Sequence, residues 1–143
     1  MSFADEAAIS HIATGLLDRS LPKAEWTHAA HFAAALWMAR HNPALLAPPV
    51  ISAIIRSYND ATGTPNTDTS GYHETITVAS MRATVAHLAT FPVDTPLYMV
   101  TNALMVSPLG RSDWLLAHWS RETLFCVEAR RVWVEPDLAP LPF

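Results

Sequence analysis

Eleven prolines punctuate this 143-residue chain, and they bound its apolar segments into lengths of about one helix each. A proline removes a backbone donor and biases the residue before it away from the α region, so no long uninterrupted helix or central strand can run through these points. Between the prolines, apolar residues recur at helical spacing. Ile9, Ile12, Ala13 and Leu16 share one side of a segment from Asp5 to Leu17. Trp26, Ala29, Ala30, Ala33, Leu36 and Trp37 form a band over Lys23 to His41, in an alanine-rich stretch that favours the helix intrinsically. Pro48 and Pro49 suit the first turn of a third helix running to about Asp60, with Val50, Ile54, Ile55 and Tyr58 inward.

A polar stretch over 61–71, rich in Gly, Thr, Asn, Asp and Ser, then reads as a surface loop. At about ten residues it is longer than most helix connections, a length often associated with function. Tyr72 to Thr90 predicts a fourth helix, Pro96 to about Met105 a fifth, and Ser112 to Phe125 a sixth, with a short helical piece over Glu128 to Val134. Sequential βαβ alternation and internal repeats are lacking. The expected fold is all-α: an irregular array or bundle of five to six helices in a single domain over 1–143, with a proline-rich tail from about 135.

Half the residues are apolar, which argues against disorder. The net charge of −4 and the scattered arginines supply no basic stripe for phosphate backbones, so nucleic acid is not an expected partner. A single cysteine, Cys126, rules out an intrachain disulfide. The acidic start lacks the charge pattern of a signal peptide, and no stretch has the apolar length of a membrane span. The cytoplasm is the expected compartment, without a membrane partner.

Two segments carry most of the candidate chemistry: Glu25-Trp26-Thr27-His28-Ala29-Ala30-His31, and Gly71-Tyr72-His73-Glu74-Thr75-Ile76-Thr77. On a helix His28 and His31 lie on neighbouring turns of one face, spacing that lets two imidazoles converge on an ion. The expected centre is a metal held by His28, His31 and His73, with Glu74 as general base or fourth ligand and Glu25 orienting a ring from outside. Zinc and non-haem iron both suit such donors. A small metal-dependent hydrolase or iron oxygenase is the corresponding function.

Three other readings stand beside it. The same residues, with Tyr72 and Arg121, would line a nonmetal pocket for a small ligand or a sensed metabolite. An aromatic helix face would support a structural homodimer. Histidines of this kind also serve the fold alone by bonding backbone carbonyls. His-Glu occurs once, without the second histidine of HExxH, and the loop glycines match no phosphate-binding pattern. His87, His118, His11, His41 and Cys126 are assigned lesser or packing roles.

EWTHAAH at 25–31, IRSYNDATGTPNTDTSGYHETIT at 55–77 and ARRVWVEPDL at 129–138 together resemble a family of small bacterial helical proteins of no established function. The resemblance implies a site shared by the first two segments; it carries over no reaction, substrate or cofactor.

Overall fold

A computed structural model describes residues 2–143. Among them there are seven α-helices, five of them longer than one or two turns, and no strand. The chain is an all-α array, as its proline-bounded periodicity predicts. No helix among the described residues is long and apolar enough to cross a membrane.

Helix α1 spans Glu6–Leu17 and is capped by Asp5, whose carboxylate accepts from the Ala8 amide at 2.9 Å. Ile9, Ile12, Ala13 and Leu16 face the core, as the pattern requires. The chain then doubles back so that the Leu21 amide donates to the Gly15 carbonyl at 3.0 Å. A Cβ on Gly15 would sit 2.9 Å from the Leu21 Cβ, so the close turn depends on glycine there.

The segment expected to form one helix from Lys23 to His41 is instead two pieces. A 3-10 turn covers Lys23–Glu25, and α2 begins only at His28, running to His41. Thr27 causes the break. Its backbone is extended, and its hydroxyl accepts from the Ala30 amide at 3.2 Å, so it caps the helix rather than continuing it. Glu25 therefore lies outside the helix that carries His28 and His31.

Helix α2 is the hub, with Ala30, Phe32, Ala33, Ala34, Ala35, Leu36 and Met38 all buried. Its alanines have little side-chain bulk, so α1 and two later helices approach it from several sides. Helix α3, Pro48–Ala61, starts on the two prolines and buries Ile51 and Tyr58, while Val50 lies exposed. The Tyr58 hydroxyl donates to the Leu21 carbonyl at 2.8 Å, tying α3 to the turn after α1. Helix α4, Glu74–Leu88, packs on α2, and so does α5, Leu97–Met105.

The expected helix from Ser112 to Phe125 is also broken. Trp114–Ala117 forms a 3-10 turn, and α6 covers only Arg121–Leu124, followed by α7 over Val127–Arg131. The tail explains the interruption. Asp137 accepts from the Ser120 amide at 2.8 Å and from its hydroxyl at 2.6 Å, making Ser120 the start of a new helix. Trp119 is buried, and its indole N–H donates to the Val134 carbonyl at 2.9 Å. The His118 carbonyl accepts from the Leu138 amide at 2.9 Å. Burying one tryptophan with its N–H satisfied outweighs the few tenths of a kcal/mol by which helix propensities differ. Buried side chains from α1 to α6 meet in one cluster, with Trp119 among its largest members.

Candidate functional site

The first histidine segment is organised by Thr27. Its carbonyl accepts from the His31 amide at 3.0 Å and from His31 Nδ1 at 2.6 Å. A carbonyl only accepts, so Nδ1 carries the proton and neutral His31 presents Nε2 as a bare acceptor. That nitrogen has no hydrogen-bond partner among the described residues. His31 keeps exposed surface, and its ring lines a recess beside Trp26. Desolvation by the protein packed around the ring pushes its pKa below the ordinary imidazole value; the bond to Thr27 opposes the shift and nearby His28 adds to it. Trp26 stacks on the ring with centroids 3.9 Å apart.

His28 is anchored from the other side. Its Nε2 lies 2.9 Å from the Leu109 carbonyl, so Nε2 is the donor and Nδ1 of the neutral ring is the acceptor. Phe32 meets the ring edge-on at 5.3 Å. Both histidines line one chamber of about 310 Å³ between α2, α3 and α4. Its walls are largely apolar, with Trp26, Phe32, Met38, Ile51, Ile76 and Trp114 prominent. Thr77, Ser80 and Ser112 add hydroxyls. The Ser80 hydroxyl donates to the Ile76 carbonyl at 2.7 Å, leaving its lone pairs for another partner.

The second segment is built differently. His73 caps α4: its Nδ1 accepts from the Ile76 amide at 3.2 Å, and its Nε2–H donates to the Leu124 carbonyl at 2.7 Å. Both ring nitrogens are spent, and the ring is buried. Burial lowers its pKa, with the Leu124 bond opposing and Arg130 adding to the shift. Glu74 accepts from the Tyr72 hydroxyl at 2.6 Å. Burial first, and then this carboxylate, push the Tyr72 phenol well above its ordinary pKa. Buried Thr75 donates to the Val132 carbonyl at 2.9 Å and accepts from the Val134 amide at 3.1 Å.

The polar loop is folded on its own side chains. Asn66 Oδ1 accepts from the Tyr72 amide at 3.0 Å and from Asn59 Nδ2 at 2.9 Å. Gly71 sits at φ +76°, where a Cβ would approach the Pro65 carbonyl oxygen to 2.4 Å. Arg130 donates to the Gly71 carbonyl at 3.0 Å, and Arg131 pairs with Asp68 at 2.6 Å, so α7 clamps the loop.

The structure thus brings His28 and His31 to one chamber and leaves His73 and Glu74 off its walls. Among the described residues no three His, Cys, Asp or Glu side chains are grouped so as to hold a metal ion. The expected zinc or iron centre of His28, His31, His73 and Glu74 is not assembled, because His73 is committed to its helix cap and to Leu124. Glu25 pairs with His11 at 2.9 Å, outside the chamber, rather than orienting His28 or His31. His87 bonds the Val100 carbonyl at 3.0 Å, and His118 bonds the tail at Ala139. The Cys126 sulfur caps α7 by accepting from the Ala129 amide at 3.4 Å. Sequence reasoning passed over Ser80 and Ser112 and gave Thr77 no pocket role; Thr77 and Ser80, three apart on α4, were the available signal. No family description, curated protein or solved structure matches this chain.

Proposed function

We propose that this chain is a small-molecule-binding protein whose ligand enters the chamber between α2 and α4 and donates a hydrogen bond to His31. The observation that carries the reading is the state of that ring. Its tautomer is fixed by Thr27, its environment favours the neutral form, its Nε2 has no partner among the described residues, and the ring lines a mostly apolar cavity. An acceptor with fixed direction in apolar surroundings selects a ligand carrying an O–H or N–H. The volume of about 310 Å³ lies at the small end of ligand pockets, which favours a compact molecule. His28 Nδ1 and the hydroxyls of Ser80 and Ser112 offer further polar contacts.

Titration calorimetry with aliphatic alcohols and the matching alkanes or thioethers tests this. Alcohols should bind the wild-type chain about tenfold more tightly than equally sized molecules without a donor, the order of one net hydrogen bond. The His31→Phe variant keeps an aromatic ring beside Trp26 and should lose that preference. Absence of saturable binding by either series would sink the reading.

A further inference from the structure

Trp26 and His31 belong to two recesses at once. One is the apolar chamber; the other is an adjoining hollow of about 340 Å³ lined by Lys23, Tyr58, Asn59, Thr62, Thr64 and Gly71. The stacked pair borders both, and His31 is exposed, so a ligand lying along that ring would reach from one hollow to the other. Their chemistry differs sharply. The first is dominated by aromatic and aliphatic carbons, whereas the second has an ammonium, three hydroxyl side chains and, among the described residues, no carboxylate on its walls.

Lys23 is the only lysine in a chain of net charge −4, and it forms no ion pair among the described residues. The nearest acid in sequence, Glu25, pairs with His11 at 2.9 Å and is off the walls, although burial first and then its charge hold the Tyr58 phenol above its ordinary pKa. Most other polar groups of the hollow are occupied. Tyr58 donates to Leu21, Asn59 donates to Asn66, and the Thr62 hydroxyl donates to the Tyr58 carbonyl. The Thr64 hydroxyl has no partner among the described residues. A single ammonium with a single unused hydroxyl matches a monoanion, and a carboxylate is the monoanion compatible with an apolar body next door.

We infer that the natural ligand is an amphiphilic carboxylate, its apolar body in the chamber, its carboxylate in the second hollow at Lys23 and Thr64, and the Trp26–His31 pair between them. This rests on the chamber being a ligand site, and adds the charge and shape of what fills it. The ammonium supplies an attraction that salt weakens, since Lys23 is exposed.

The test uses the full chain with two matched probe series: hexanoate, octanoate and decanoate against the corresponding primary alcohols, by calorimetry at pH 7.5. The best carboxylate should bind about fivefold tighter than its alcohol, the scale of an exposed ion pair, with the advantage shrinking as salt rises. Lys23→Gln should erase the advantage while leaving alcohol affinity in place. Because Lys23 is the sole lysine, its acetylation by an amine-reactive reagent, followed by mass spectrometry, gives a second readout: octanoate should slow it and octanol should not. Equal affinity for both series, or a carboxylate preference that survives Lys23→Gln, overturns the inference while the chamber reading stands. Failure of both series to bind removes the chamber reading itself.

Discussion

His31 and His73 occupy similar settings in sequence, each near the start of a helix with a threonine and an aromatic residue close by, yet the fold uses them in opposite ways. Thr27 takes one nitrogen of His31 and leaves the other free among the described residues, on a ring that lines a cavity. His73 is itself the cap, and between Ile76 and Leu124 it has no nitrogen left to give. The difference teaches that a histidine's availability is decided by the carbonyls and amides within reach. Spacing along the chain sets the direction of a ring; backbone partners set its remaining valence.

Replacing each histidine should therefore produce opposite pairs of effects. His73→Ala removes a helix cap and strands the buried Leu124 carbonyl, which together cost about 3 kcal/mol. His31→Phe should cost under about 1 kcal/mol, since it loses one local bond while keeping the aromatic contact with Trp26. Urea unfolding of both variants checks this, and alcohol titration should show the reverse order, with binding impaired in His31→Phe and retained by whatever His73→Ala remains folded. Equal destabilisation by the two would break the contrast.

Thr75→Val sharpens it from the same helix. The isosteric change removes a buried hydroxyl that bridges the Val132 carbonyl and the Val134 amide, and should cost about 2 kcal/mol by urea unfolding. Ligand affinity should not change, because Thr75 is off the chamber. Thr77, two residues on, lines the chamber, so Thr77→Val should show the reverse emphasis.

The all-helical fold was legible because prolines and 3.6-residue periodicity point the same way over α1, α3, α4 and α5. The two broken helices were not, because each break depends on a distant or local competitor for one backbone group. Thr27 reads as an ordinary helix interior residue until its hydroxyl is seen on the Ala30 amide. Ser120 becomes a cap only when Asp137, seventeen residues later, folds back onto it. The site was half legible. Spacing picks out His28 and His31, which do share a chamber, whereas His73 and Glu74 are joined to them only by their place at a helix start after the loop and by the resemblance of the two motifs. What separates the two groups is long-range: Leu109 for His28 and Leu124 for His73, neither signalled by neighbouring sequence.

A smaller effect is expected from pH. The folded pKa values of His31 and His73 both lie below the ordinary 6.5, so between the folded and unfolded values the unfolded chain binds more protons. Their contribution to stability is complete above 6.5 and is lost as pH falls through the lower folded values. Urea midpoints should fall from pH 7.5 to pH 5, a range above the window in which Asp68, Asp113 and Asp137, held low by their partners, begin to titrate. His31→Phe should flatten part of this slope, leaving the share of His73. Protonation also removes the Nε2 acceptor of His31, so alcohol affinity should weaken over the same interval. An unchanged slope in His31→Phe would mean that its ring is hydrated more fully than its place at the chamber implies.

The smallest expected effect is that of metal removal. A stable zinc or iron site takes three or four donors at about 2 Å, and the chamber provides two imidazoles, one nitrogen of each already on a backbone carbonyl. A third imidazole from His73 would have to abandon the Leu124 carbonyl and the Ile76 amide, stranding two backbone groups to fill one coordination position. Chain purified without chelator or immobilised metal should accordingly carry far less than one zinc or iron per chain, and chelator should leave its thermal midpoint where it was. Stoichiometric metal that is lost in His28→Ala/His31→Ala and raises the wild-type midpoint would break the comparison between the two histidine segments. It would require the start of α4 to release His73 towards α2, and the cost of that release, about 3 kcal/mol by the same accounting as His73→Ala, would have to be recovered from the ion.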